Sequence, residues 1–317
     1  MLAKYRPLYK EIRLTDMEIR TLVRPIYFAA RKLMRRWLPK IIRLRMQGVI
    51  VPLVYKLAPK TNGAIQVRGH LMYLASGGTL PPTDMSLDAF EVETTLLFER
   101  LIKPGTVVID IGAHVGYYTM LAARAVGPTG MVYAFEPDES NYSLLIKNIE
   151  INGYSNVVAL NQAVSNYLGH STLVKSPWHS GIHHIDYGDQ NQTNGVQVET
   201  TTIDSFLESL GSPVVGLVKI DVEGSEERVL DGMWSLLKQS DELNLVLEFH
   251  PLLLERAGVN PSAFLGRLAA LDFEVKCIDG GNRIVSDSLS CLDSFVDEVR
   301  ENGINLLCTR RQRSRIG

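Results

Sequence analysis

A chain of 317 residues, 45% hydrophobic and 21% charged, can bury one large core and carry an appendage, and its composition excludes a disordered or fibrous protein. Its three cysteines, Cys277, Cys291 and Cys308, lack C-x-x-C spacing, which excludes a disulfide framework and reads as reduced thiols of a cytoplasmic protein. The net charge of −2 conceals a division: residues 1–60 hold 15 Lys/Arg against 3 Asp/Glu and the remainder 18 against 32, so a basic arm precedes an acidic body that repels phosphates and argues against a nucleic-acid substrate.

The first residues lack the apolar core of a signal peptide, and no run approaches the length of a membrane span. Within the arm, Pro25 opens a helix and Pro39 closes it. Ile26, Ala30, Leu33 and Trp37 share one face, with Arg31, Lys32, Arg35 and Arg36 mostly off it. Such a helix either packs on the body with its charges in water or rests on an anionic membrane or acidic partner, a contact assigned to residues 1–47.

The body, residues 61–317, begins irregularly, with a turn at Asn62-Gly63 and a short alternating strand at residues 65–67. A helix over 87–102 leads into an apolar β-branched strand, Val107 to Ile109, ending at Asp110. The glycine turn of Gly112 and Gly116 and a helix from Tyr117 to Val126 follow. Further strands are predicted at 131–135, 156–160, 216–220, 243–249, 273–278 and 304–308. Helices follow Pro137-Asp138, stopping at Gly153, and Asn260-Pro261. Residues 171–174 and 196–202 alternate and pair as an insertion, and the polar stretch 176–195 between them reads as a loop. Alternating strands and helices imply an α/β fold, a mostly parallel sheet covered on both faces, with its site at the carboxyl ends of the strands.

Chemistry collects at those ends. Asp110 can accept a hydrogen bond from a cationic amine, and Gly112 and Gly116, flanking Ala113 and His114, let backbone approach a ligand. Glu136, 26 residues later at the end of the next strand, is placed to grip both hydroxyls of a ribose. Gln162 and Ala163 follow the third strand, where side chains flank an adenine ring or simply make a turn. Asp221 and Glu223 point the same way after the fourth strand. Two such carboxylates can orient a hydroxyl, hold an amine or, with Glu248, bind a divalent metal. Glu248 and His250 share a face at the end of the fifth strand, and an imidazole is a suitable general base for an alcohol. The loop residues His179, His183, His184 and Asp186 are either substrate or metal contacts or solvated side chains.

Four segments resemble the FkbM family of class I methyltransferases dependent on S-adenosylmethionine (SAM): Val108 to Thr119, Tyr133 to Pro137, Val218 to Glu226, and Glu248-Phe249-His250. Thr200 to Asp204 also fits, and the match spans roughly 85–310. The resemblance implies a Rossmann-like seven-stranded sheet with one antiparallel strand near its edge. It implies SAM as donor and O-methylation of a sugar, glycan or natural-product hydroxyl. Carried over, Asp110, Gly112 and Gly116 line the methionine end, Glu136 takes the ribose, and Asp221 sits at the reacting centre. The mechanism expected is one in-line displacement, with His250 as base and Asp221 and Glu223 orienting the hydroxyl. Two rivals stay open at this point. One is a dinucleotide-dependent oxidoreductase, against which the missing G-x-G-x-x-G counts; the other is a non-catalytic SAM-binding scaffold.

Overall fold

The structure, a computed structural model, describes residues 63–74, 85, 88, 90–175, 183–186, 195–279, 283–285 and 289–310. The basic arm, His179 and most of the 176–195 stretch lie outside the described residues.

A hairpin, β1 (Ile65–Val67) and β2 (His70–Met72), precedes helix α1 (Val92–Leu101). Then come β3 (Val107–Ile111), α2 (Tyr117–Val126), β4 (Met131–Phe135), α3 (Glu139–Asn152) and β5 (Val157–Leu160). An insertion of β6 (Ala163–Val164), β7 (Gly169–Val174), β8 (His184–Asp186) and β9 (Gly195–Thr201) forms its own four-stranded sheet in the order β6-β9-β7-β8. The chain continues through α4 (Ile203–Ser209), β10 (Val215–Ile220), α5 (Glu226–Gly232), α6 (Trp234–Gln239) and β11 (Asn244–Phe249). It finishes with α7 (Pro251–Arg256), α8 (Pro261–Ala270), β12 (Phe273–Cys277), α9 (Leu289–Val299) and β13 (Ile304–Arg310).

The main sheet has seven strands in the order β12-β13-β11-β10-β3-β4-β5, and β13 alone runs against its neighbours. Strand alternation feeds two cores. Ile109, Ile111, Phe135 and Phe249 pack under α4 to α9, whereas Val108, Val132, Ala134 and Val246 pack under α1, α2 and α3. This is the α/β, Rossmann-like, doubly covered sheet expected from the sequence. Among the described residues, no helix is long and apolar enough to cross a membrane.

Two expectations change. The helix read as 87–102 starts at Val92, because Glu91 takes a left-handed backbone (φ 39°) and a helix cannot run through it. The stretch 176–195 is not all loop, since His184–Asp186 pairs antiparallel with Thr172–Val174, and its Ile185 packs on a small core of Ala163, Leu173 and Val198. A strand of three residues is too short to show a period. The helices α4 to α7 are likewise only six or seven residues long, and α5 and α7 follow the two strands at whose ends Asp221, Glu223 and Glu248 stand.

The hairpin is held by asparagines rather than by another strand. Asn148 on α3 accepts from the Tyr73 N–H (2.7 Å) and donates to the Tyr73 and Val115 carbonyls (3.0 and 2.7 Å). Asn152, one turn on, does the same for Leu71 (3.0 and 2.7 Å). The pair satisfies an edge strand that otherwise leaves backbone groups unpaired. Asn148→Ala strands the buried Val115 carbonyl and the half-buried backbone of Tyr73, and we expect a loss of about 1–3 kcal/mol, seen as a lower urea midpoint at unchanged slope. A midpoint equal to that of wild type would show that this docking contributes nothing.

Candidate functional site

The site lies where β3, β4, β5, β10 and β11 end. Its first half is built on the turn after β3. The N–H groups of Gly112 and Ala113 both donate to the Phe135 carbonyl (3.0 and 2.9 Å), fastening this turn to the end of β4. Gly112 has φ 79°, and a Cβ there would stand 1.8 Å from the Asp221 carbonyl oxygen. At Gly116, φ is 91° and a Cβ would meet the Leu145 side chain at 2.6 Å. Gly112 is therefore required by the close approach of the Asp221 backbone and Gly116 by its left-handed backbone, reasons that stand beside the ligand access expected of them. Ala113 is buried beside them, and His114 follows with a positive φ of 52°.

Asp110 is wholly buried at the base of this turn. Its Oδ2 accepts from Thr119 Oγ1 (2.6 Å), and its Oδ1 has no partner among the described residues. Burial pushes its carboxyl above the usual range, against the pull of Lys219 and the Thr119 hydrogen bond. Glu136, 5% exposed, accepts backbone N–H groups at both oxygens, from His114 (2.8 Å) and Asp138 (2.9 Å). These fix its orientation and oppose the burial that raises it to about 7. Asn161 donates to the Glu136 and Pro137 carbonyls, so the end of β5 is tied to the end of β4. Gln162 lies half-buried just beyond, and Ala163 opens β6, paired with Thr200. Asp138 caps α3 through Oδ1 and meets Lys175 (2.6 Å) and His183 (3.9 Å) through Oδ2, joining the insertion to this half. His184 and Asp186 are spent on β8, away from the carboxylate cluster described next.

The second half is carboxylate-rich. Asp221, Glu223 and Glu248 each offer an oxygen, all within 4.8 Å of one another. The Asp221 N–H donates to the Ile111 carbonyl (3.0 Å), so this residue also fastens β10 to β3. Its carboxylate meets Lys219 Nζ at 2.8 Å. Burial would raise Asp221, but Lys219 outweighs it and holds the group below the usual range, with help from a hydrogen bond donated by Glu248. Glu248 and Glu223 are driven the other way. Burial lifts them to about 10 and about 8, reinforced by Asp221 and by their acidic neighbours. Glu223 is held at φ 52° ahead of Gly224, whose Cβ would meet the Leu253 carbonyl at 2.8 Å.

His250 is not joined to this trio. It precedes α7, its ring packs on Gly303, its Nδ1 is buried without a partner among the described residues, and the charge acting on it is that of Arg256. Burial and that guanidinium lower its pKa, so the ring is neutral at physiological pH.

Four residues join the site that sequence reasoning did not single out. Lys219 is 3% exposed and Glu226 2% exposed, Glu226 accepting from the Gly224 N–H at 3.1 Å. Tyr118 lies under Lys219 Nζ (4.7 Å to the ring centre) and donates to Glu91 (2.7 Å). Glu91 also accepts from Asn305 (2.9 Å). Lys219 carried a legible signal, a lone cation in an apolar strand two residues before an acid, which burial obliges to pair. Glu91 carried none, since its place depends on the packing of α1.

Residues 110–275, more than half of the chain, match the family described as the methyltransferase FkbM domain. The chain is 27% identical over 156 residues to the hexuronic acid methyltransferase AglP of Haloferax volcanii, covering 49% of this chain and 58% of that protein. It is 25% identical to the 31-O-demethyl-FK506 methyltransferase FkbM of Streptomyces tacrolimicus, covering 44% of this chain and 65% of that one. The chain thus spans less than two thirds of either relative's length. A crystal structure of a SAM-dependent methyltransferase from Aquifex aeolicus aligns with 73% of this chain and 94% of its own, at 13% identity and a TM-score of 0.38.

The raised carboxyls make stability fall as pH rises. Each binds its proton more tightly folded than unfolded, so its contribution is whole below the unfolded pKa near 4.5 and is lost as pH passes the folded value, up to about 10 for Glu248. Glu248→Gln removes that loss. Its Tm should match wild type at pH 5 and exceed it by roughly 2–4 °C at pH 9. A constant difference across this range would show that Glu248 does not hold its proton.

Proposed function

Because the chain belongs to the FkbM methyltransferase family, with SAM as its cofactor, we propose that it methylates a hydroxyl oxygen on a sugar, glycan or natural-product acceptor. The observation that supports this most is the division of the site. A buried, half-unpartnered carboxylate and an oriented one stand on adjacent strands, and a cluster of three acids lies beside them. Asp110 Oδ1 fits the ammonium group of SAM, because a buried carboxylate oxygen without a donor favours a cationic ligand. Glu136, fixed by two N–H groups, fits the ribose diol, and Gly112, Ala113, His114, Gly116, Gln162 and Ala163 complete the cofactor side.

When bound, SAM supplies a methyl group on a sulfonium, open to in-line attack. The chain's own work is to orient the acceptor oxygen and accept its proton. Asp221 suits both tasks. It is ionised, partly exposed and fixed by Lys219, whereas Glu248 and Glu223 hold their protons and serve as donors to neighbouring hydroxyls. His250, neutral but outside the trio, is the less favourably placed base. The name of AglP supports a sugar acceptor, and the acidic body speaks against a nucleic acid. A second reading rests on the oxygen trio, which suits a divalent cation that would acidify the hydroxyl. Transfer that survives a chelator would exclude it.

Calorimetric titration should show SAM binding to wild type and at least tenfold weaker binding to Glu136→Ala. With an acceptor in hand, Asp221→Asn should cost about 10²–10⁴-fold in kcat/KM, and His250→Ala far less. The reverse order would return the base to His250. The basic arm is proposed to bring the enzyme to an anionic membrane surface from the cytoplasmic side. Vesicle co-sedimentation should fall when residues 1–47 are removed, and equal binding by both forms would end that idea.

A further inference from the structure

The sequence separates a cofactor acid, Asp110, from an acceptor acid, Asp221. In the structure one buried ammonium serves both. Lys219 on β10 is in register with Asp110 on β3, so the two side chains leave the same face of adjacent parallel strands. Its Nζ reaches Asp221 Oδ2 at 2.8 Å, and the charges acting on it are Asp221, then Asp110, then Glu91. Tyr118 closes the pocket beneath it and ties in Glu91. Burial by itself would discharge this lysine, and the three carboxylates overcome that and hold its pKa high.

We propose that Lys219 is a positioning residue for the amino-acid end of the cofactor: it is the countercharge that lets the buried Asp110 stand ionised to receive an ammonium group, while it aims Asp221 at the acceptor. This rests on the SAM reading of the site. Without Lys219, Asp110 keeps the hydroxyl and backbone N–H of Thr119 as hydrogen-bond partners but has no cation to offset its burial. It then takes up a proton, and the ammonium loses its partner. The nucleoside end, gripped by Glu136 on the next strand, is untouched.

The test uses two ligands on the full chain. SAM carries the charged amino-acid end, and 5′-methylthioadenosine keeps the nucleoside but lacks that end. Both are titrated by calorimetry into wild type, Lys219→Met and Lys219→Arg. We expect Lys219→Met to bind SAM at least tenfold more weakly and methylthioadenosine as wild type does, and Lys219→Arg to recover most of the SAM affinity. Lys219→Gln, which keeps a donor for Asp221 without the charge, replaces the Met variant should that one not fold. Unchanged or tighter SAM binding in the uncharged variant overturns the proposal. So does a parallel loss of both ligands, which marks a merely structural lysine, and so does a loss in Lys219→Arg as large as in Lys219→Met. Absence of SAM binding to wild type would overturn the proposed function itself, an outcome distinct from these.

Discussion

Strands β3 and β10 end in contact so close that no side chain fits between them. The Asp221 N–H closes on the Ile111 carbonyl, and the Asp221 carbonyl faces Gly112 where a Cβ would need to be. Two segments over a hundred residues apart are thereby brought together, and their acids, Asp110 and Asp221, both act on the charge of Lys219. The rest of the site is arranged around this junction. The turn after β3 hangs from the Phe135 carbonyl, which sets His114 to hold Glu136, and the sharp bend at Glu223 and Gly224 turns the chain into α5.

Burying so many acids is costly, and the molecule manages the cost unevenly. Asp221 stays charged against an ammonium, and Asp138 is held low by Lys175 and its capping N–H groups. Glu136, Glu223, Glu226 and Glu248 are left raised, so the cluster keeps protons that an exposed acid would release. A scaffold optimised for stability would put apolar groups here. These buried acids gather at the strand ends, where perturbed titratable groups mark a candidate site.

The peripheral elements serve to hold this junction in place. The hairpin docks on α3 through Asn148 and Asn152, and Asn148 also reaches the Val115 carbonyl inside the glycine turn. The insertion sheet is linked to the Glu136 half of the site by Lys175 and His183, which both approach Asp138, two residues past Glu136. Both attachments bear on the segment that presents Glu136, so ordering there depends on parts of the chain remote from it in sequence.

Sequence alone determined the sheet, because its strands are apolar runs bounded by glycine, proline and asparagine, a signal that every local segment carries by itself. It also determined which acids stand at strand ends, since the end of an apolar run is visible and an acid directly after it has one place to be. Tertiary structure decided the relations between segments. It decided that Glu248 joins Asp221 and Glu223 while His250, two residues on, turns away toward Gly303. It decided that Gly112 serves chain contact, and that His184 and Asp186 belong to a strand. It brought Lys219, Asp110 and Glu91, from three separate segments, into one charged group. These depend on strand register and on the packing of short helices, and neither leaves a period in the sequence long enough to read.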